Sequence, residues 1–109
     1  MNPQKLIRIV FTLLLFCSGD LLLARPPGIS FAGGDGSSLE KAVIIKGATT
    51  EETGVRAEYE YLAQHYPGYK RGSQSLLNSK GRAFDAIEFT TADGRTKTIY
   101  FDITAFFGH

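Results

Sequence analysis

Two apolar patterns divide the chain. Near the start, Ile9–Phe16 is an unbroken apolar run apart from Thr12, and it follows the cations Lys5 and Arg8. From residue 42 onward the apolar positions recur at short periods instead. Ala42-Val43-Ile44-Ile45, closed by Lys46 and Gly47, is a β-branched run that predicts a buried strand. Val55, Tyr59, Leu62 and Tyr66 follow at helical spacing, with Arg56, Glu60 and Gln64 on the other side. This predicts a helix over Glu51–His65, stopped by Pro67-Gly68. Thr49 and Glu52 have capping-box spacing, and Glu51 and Glu52 suit the positive end of the helix dipole. Three strands are then predicted, over Tyr69–Leu77, Arg82–Thr91 and Thr96–Ile103. Asn78-Ser79-Lys80-Gly81 and Ala92-Asp93-Gly94-Arg95 separate them, and Asp-Gly is a strong hairpin signal.

The fold class that follows is α+β. One helix packs on a four-stranded, mainly antiparallel sheet, in the order β-α-β-β-β, after an N-terminal signal helix. Hairpin-linked strands must be antiparallel, and an amphipathic helix buries its apolar stripe on one sheet face. Ile87 and Phe89 are expected to face the helix, and Phe106-Phe107 to cover an edge of the core. The aromatic cluster is expected around Tyr59, Phe84, Phe89, Phe101 and Phe106.

The first segment has the order of a secretory signal peptide, cations and then an apolar stretch. The uncharged run Ile9–Gly19 is too short to span a membrane: as a helix it covers about 16 Å, against roughly 30 Å of hydrocarbon. Ser30-Phe31-Ala32 offers small residues at the −3 and −1 positions, so residues 1–32 are read as the signal peptide, with cleavage after Ala24 as the alternative. Residues 33–109 then form a single small domain, with Gly33-Gly34-Asp35-Gly36-Ser37-Ser38 as part of a flexible arm over 33–39. The expected home is periplasmic or secreted, and membrane contact arises only through an uncleaved signal segment.

Composition narrows the function further. The net charge of +1 over 109 residues argues against nucleic-acid binding by bulk electrostatics. The single cysteine, Cys17, cannot form an internal disulfide. His65 and His109 have no convergent partners at catalytic or metal-ligand spacing; His65 suits a helix C-terminus, and His109 reads as a mobile last residue. The pairs Glu51/Glu52 and Glu58/Glu60 fit helix capping and a solvated face. No catalytic residue, cofactor or metal is expected. The densest unusual stretch is His65-Tyr66-Pro67-Gly68-Tyr69-Lys70-Arg71. Tyrosine and arginine are favoured in contact surfaces, so His65, Tyr66, Tyr69, Lys70 and Arg71 are the candidate partner-binding residues. The function that fits is an exported, non-enzymatic binding or inhibitor-like module for an unknown protein or small ligand. The alternative is a small envelope stress or ligand-binding protein that uses the open sheet face.

Several stretches carry a resemblance: Gly34-Asp35-Gly36-Ser37-Ser38, His65-Tyr66-Pro67-Gly68-Tyr69-Lys70, Lys97-Thr98-Ile99-Tyr100-Phe101-Asp102-Ile103 and Phe106-Phe107-Gly108. In these the chain resembles a group of small exported bacterial proteins of unknown function. The resemblance implies a Gram-negative, periplasmic or secreted home and no particular activity. The helix followed by a meander is similar in outline to PepSY-like modules and to cystatins. In a cystatin, Gly33-Gly34 would stand for the glycine arm, and Gln74-Ser75-Leu76-Leu77-Asn78 for the Q-x-V-x-G inhibitory hairpin, from which it departs at Leu76 and Asn78.

Overall fold

The structure, a computed structural model, describes residues 28–109. The expected signal helix lies outside the described residues. Five strands and one helix follow in order: β1 Ser30–Gly33, β2 Val43–Lys46, α1 Glu51–His65, β3 Lys70–Ser79, β4 Arg82–Thr90 and β5 Thr96–Asp102. They form one α+β unit with a single mixed sheet of spatial order β1-β2-β5-β4-β3.

Two features of the expected sheet are corrected. Among the described residues the sheet has five strands, because Ser30-Phe31-Ala32 and Gly33 pair antiparallel with β2 through Ser30↔Lys46, Phe31↔Ile45, Ala32↔Ile44 and Gly33↔Val43. The sheet is also mixed, because β2 and β5 run parallel through Val43↔Phe101 and Ile44↔Asp102. The reason is connectivity. The helix carries the chain across to β3 at the far edge, parallel to β2, and two hairpins then reverse direction twice. The β3–β4 and β4–β5 pairs are antiparallel, as hairpins require. Residues 33–39 belong to a hydrogen-bonded connection between β1 and β2: the Gly34 and Gly36 amides donate to the Ala42 and Lys41 carbonyls at 3.1 and 2.7 Å, and the Tyr100 amide of β5 donates to the Gly36 carbonyl at 2.8 Å.

The helix forms where expected, but its face and its cap both differ. The N-cap is Thr50, whose Oγ1 accepts from the Thr53 amide at 3.2 Å. The buried residues are Gly54, Ala57, Glu58, Tyr61 and Leu62. Val55 and Tyr59 of the expected face are only half-buried. Small residues decide this rotation. A Cβ at Gly54 would lie 2.3 Å from the Phe106 ring, so glycine lets the helix settle directly on that ring. The packed face keeps the i, i+3, i+4, i+7, i+8 spacing of a helix stripe, displaced from the stripe of largest side chains.

Beneath the helix lie Val43 and Ile45 of β2, Ile99 and Phe101 of β5, and Ile87 and Phe89 of β4, all no more than 3% exposed. Ile87 and Phe89 thus face α1 as the alternation predicts. Phe84 is buried on the opposite face, since its cross-strand partner is Asp102. The aromatic cluster therefore excludes it and gains Tyr61, whose ring meets Phe31 and Phe101 edge-on at 5.1 and 5.5 Å.

The C-terminal residues are tied down rather than loose. A turn places Phe106 in the core at 1% exposure and leaves Phe107 outside at 42%, so only the first of the pair covers the core. The His109 carbonyl accepts from the Glu51 amide at 3.2 Å, and the Gly108 amide donates to Glu51 Oε2 at 2.7 Å. A donor left over at the helix start thereby finds an acceptor in the chain's last residue. On the back face, Asp102 accepts from Arg82 Nε at 2.7 Å and from the Thr104 amide and hydroxyl at 3.0 and 2.7 Å. Burial pushes its pKa up, but these Thr104 bonds and the Arg82 guanidinium outweigh it and hold the carboxyl below its ordinary value.

Leu62 is fully buried at the centre of this stripe. Leu62→Ala is predicted to destabilise the fold by about 2–5 kcal/mol through the cavity it leaves. Urea unfolding measures this, and an unchanged midpoint would contradict the packing described.

Candidate functional site

The face of the sheet that carries α1 is only partly covered. Register puts Arg71, Gln74 and Leu76 of β3 opposite Phe89, Ile87 and Asp85 of β4, hence on the helix side. Yet every β3 residue from Lys70 to Leu76 is exposed. Between this strand and α1 runs an open groove of about 690 Å³, lined among others by Val55, Tyr59, Glu60, Tyr69 and Arg71. A smaller hollow of about 140 Å³ adjoins it near the start of the helix, between Val55, Gln74, Leu76, Asp85, Phe106 and Phe107. Leu76 and Phe107, the two large hydrophobic residues exposed among those described, both line this hollow.

Tyr59 crosses the groove. Its hydroxyl reaches Gln74 Oε1 at 3.3 Å, and the Arg71 guanidinium lies over its ring with Cζ 3.9 Å from the centroid. A cation over a tyrosine face is attracted by the ring's negative π-surface. Burial raises the Tyr59 pKa above the ordinary phenol value, so the hydroxyl stays protonated and able to donate. β3 is interrupted here by a bulge between Arg71 and Gln74. Gly72 permits it, because a Cβ there would sit 2.4 Å from the Glu88 carbonyl oxygen. The bulge bends the strand beside the groove.

Beneath α1 lies a buried acid pair. Glu58 is fully buried rather than on a solvated face, and Asp85 is 5% exposed. Neither Glu58 oxygen has a hydrogen-bond donor among the described residues apart from what the pair can share. Burial first, and then the Asp85 carboxyl beside it, push the Glu58 pKa up to about 10. At neutral pH Glu58 is therefore a neutral acid beside Asp85. Such a pair has the outward form of an acid–base dyad. Glu58 itself, however, lines neither the groove nor the hollow.

The five residues named from the sequence divide into two groups. Tyr69 and Arg71 line the groove, and Lys70 starts β3 beside them. His65 lies apart: its ring stacks on Tyr61 at 3.9 Å, and its Nδ1 is 3.0 Å from the Tyr61 carbonyl. Tyr66 packs on Phe89 at 4.9 Å, and Tyr69 meets the same ring edge-on at 5.9 Å. Sequence reasoning missed Tyr59 as a groove residue, Gln74 and Leu76 as residues of the hollow, and Glu58 and Asp85 as a buried pair. The pair had one available signal. Gly54, Ala57, Tyr61 and Leu62 share a helix face with Glu58, and small residues mark a close approach.

Among the described residues no group of three or more His, Cys, Asp or Glu is placed to hold a metal ion, and no helix is long and apolar enough to cross a membrane. Comparisons with protein-family models, curated proteins and solved structures gave no match.

The raised Glu58 pKa has a thermodynamic sign. Unfolded, this carboxyl loses its proton near pH 4.5, whereas folded it keeps it to about pH 10. Between those values the unfolded state binds fewer protons, so this group makes stability fall as pH rises. Glu58→Gln retains a donor toward Asp85 but does not ionise. Its unfolding midpoint is predicted to exceed that of the parent from neutral pH upward, and the two to converge near pH 4. Parallel midpoint-against-pH curves would mean that Glu58 ionises freely in the folded protein.

Proposed function

We propose that the chain is an exported, non-enzymatic binding module that grips an extended protein segment along β3 and the groove beside α1. The observation that carries this reading is the exposed edge strand. Among the described residues β3 closes the sheet on one side with no strand beyond it, and its helix-facing row opens onto the groove and the hollow. An extended segment added there gains main-chain hydrogen bonds from the strand and side-chain pockets from the groove. The Arg71–Tyr59 stack and Tyr69 are the residue types that anchor protein contacts. The hollow lined by Leu76 and Phe107 suits one apolar side chain of the incoming segment. Where that segment belongs to an enzyme, the same grip makes the module an inhibitor. The bulge at Gly72 and the cations Lys70 and Arg71 discourage open-ended pairing of copies through this edge, a common safeguard of natural edge strands.

A photo-reactive residue placed at Gln74 in the full exported chain tests the reading. A discrete cross-linked adduct is expected in the cell envelope, reduced at least several-fold by adding Arg71→Glu. The same probe at Glu40, remote from β3, should give none. Adducts of equal yield at both positions, or none from Gln74, would refute the groove as the contact surface.

A further inference from the structure

The strand β1 bears on where the exported chain is cut. The small-residue motif Ser30-Phe31-Ala32 satisfies the residue preferences of a processing site, but here it is the body of β1. Cleavage after Ala32 would remove three of the strand's four pairings with β2 and leave Gly33 alone. It would also take two side chains out of the fold. Ile29 is 5% exposed within the core cluster, and Phe31 packs against that cluster, edge-on to Tyr61 at 5.1 Å. Tyr61 in turn stacks on His65, so β1 supports the last turns of α1. What remained of β2 would depend on β5 alone, to which it is joined by only two register pairs. Its outer edge would then present unpaired N–H and C=O groups beside apolar side chains, the arrangement that invites aggregation.

We propose that β1 is a permanent part of the exported domain and that the signal segment is removed after Ala24. This rests on the export reading above. Ala24 directly follows the apolar Leu21-Leu22-Leu23 and supplies the small residue at −1, with Leu22 at −3, so the case for this cut rests on keeping β1 intact. Processing there leaves residues 25–29 ahead of β1 and keeps every residue of the strand.

The full chain, with its own first 24 residues, is expressed in a Gram-negative host, and the intact mass of the envelope form is measured. The expected species begins at Arg25. Ala24→Arg, which puts a bulky cation at the cut, is expected to abolish processing, whereas Ala32→Arg leaves the same start. Phe31→Ala is expected to lower the Tm of the exported protein by several degrees. An exported species beginning at Gly33, or processing that survives Ala24→Arg and is lost in Ala32→Arg, would overturn the inference while leaving export intact. A chain that stays uncleaved in the cytoplasm would overturn the export reading and this inference together. An unchanged Tm in Phe31→Ala would refute the structural role assigned to β1.

Discussion

One helix of fifteen residues is asked to cover five strands, and geometry forbids it. Strands lie about 4.8 Å apart, so five span roughly 19 Å between the outer two. A helix with its side chains is only about 10 Å wide. α1 therefore buries the middle of the sheet, and the margins must be managed by other means. At one margin Phe31 leans in from β1 to meet Tyr61. At the end of β5 the C-terminal turn inserts Phe106 under Gly54. At the other margin nothing comparable among the described residues covers β3, and the groove is the space left over. The candidate site is thus a by-product of the packing that stabilises the core.

The same constraint explains the acid pair. A helix drawn close to the sheet by Gly54 and Ala57 carries whatever lies between them and Leu62 into the interior. Glu58 is in that position, and Asp85 sits opposite on β4. Two charges there would repel in a medium that stabilises neither, so protonation of one resolves the conflict. A leucine would fill the space with less difficulty. Asp85 of the pair lines the hollow, whereas Glu58 does not.

Much of the fold was legible because it depends on local signals. The helix bounds, the two hairpin turns and the inward row of Ile87 and Phe89 all follow from periodicity and turn chemistry. What was not legible depends on contacts distant in sequence. β1 hides within a stretch whose small residues also satisfy a processing motif, and only its pairing with β2 distinguishes the two. The rotation of α1 does not follow its large apolar residues, because Gly54 and Ala57 set the approach to the sheet. Tyr69 and Arg71 were found by residue type, since both belong to the unusual stretch after the helix. Tyr59 and Gln74 meet only when β3 folds back beside α1, which no local pattern encodes.

The parallel seam between β2 and β5 also fixes the order in which the chain can be completed. Val43 and Ile44 meet Phe101 and Asp102 across almost the whole domain. The central part of the sheet therefore cannot exist until the last strand has been made. A partial chain that ends before β5 has a helix and a hairpin but no interior to bury them in. Contacts of such long sequence separation slow folding, because chain closure precedes the gain from packing. Under the export reading proposed above, that delay suits passage through a membrane pore in the unfolded state. The topology ties the closing of the core to the last strand, β5.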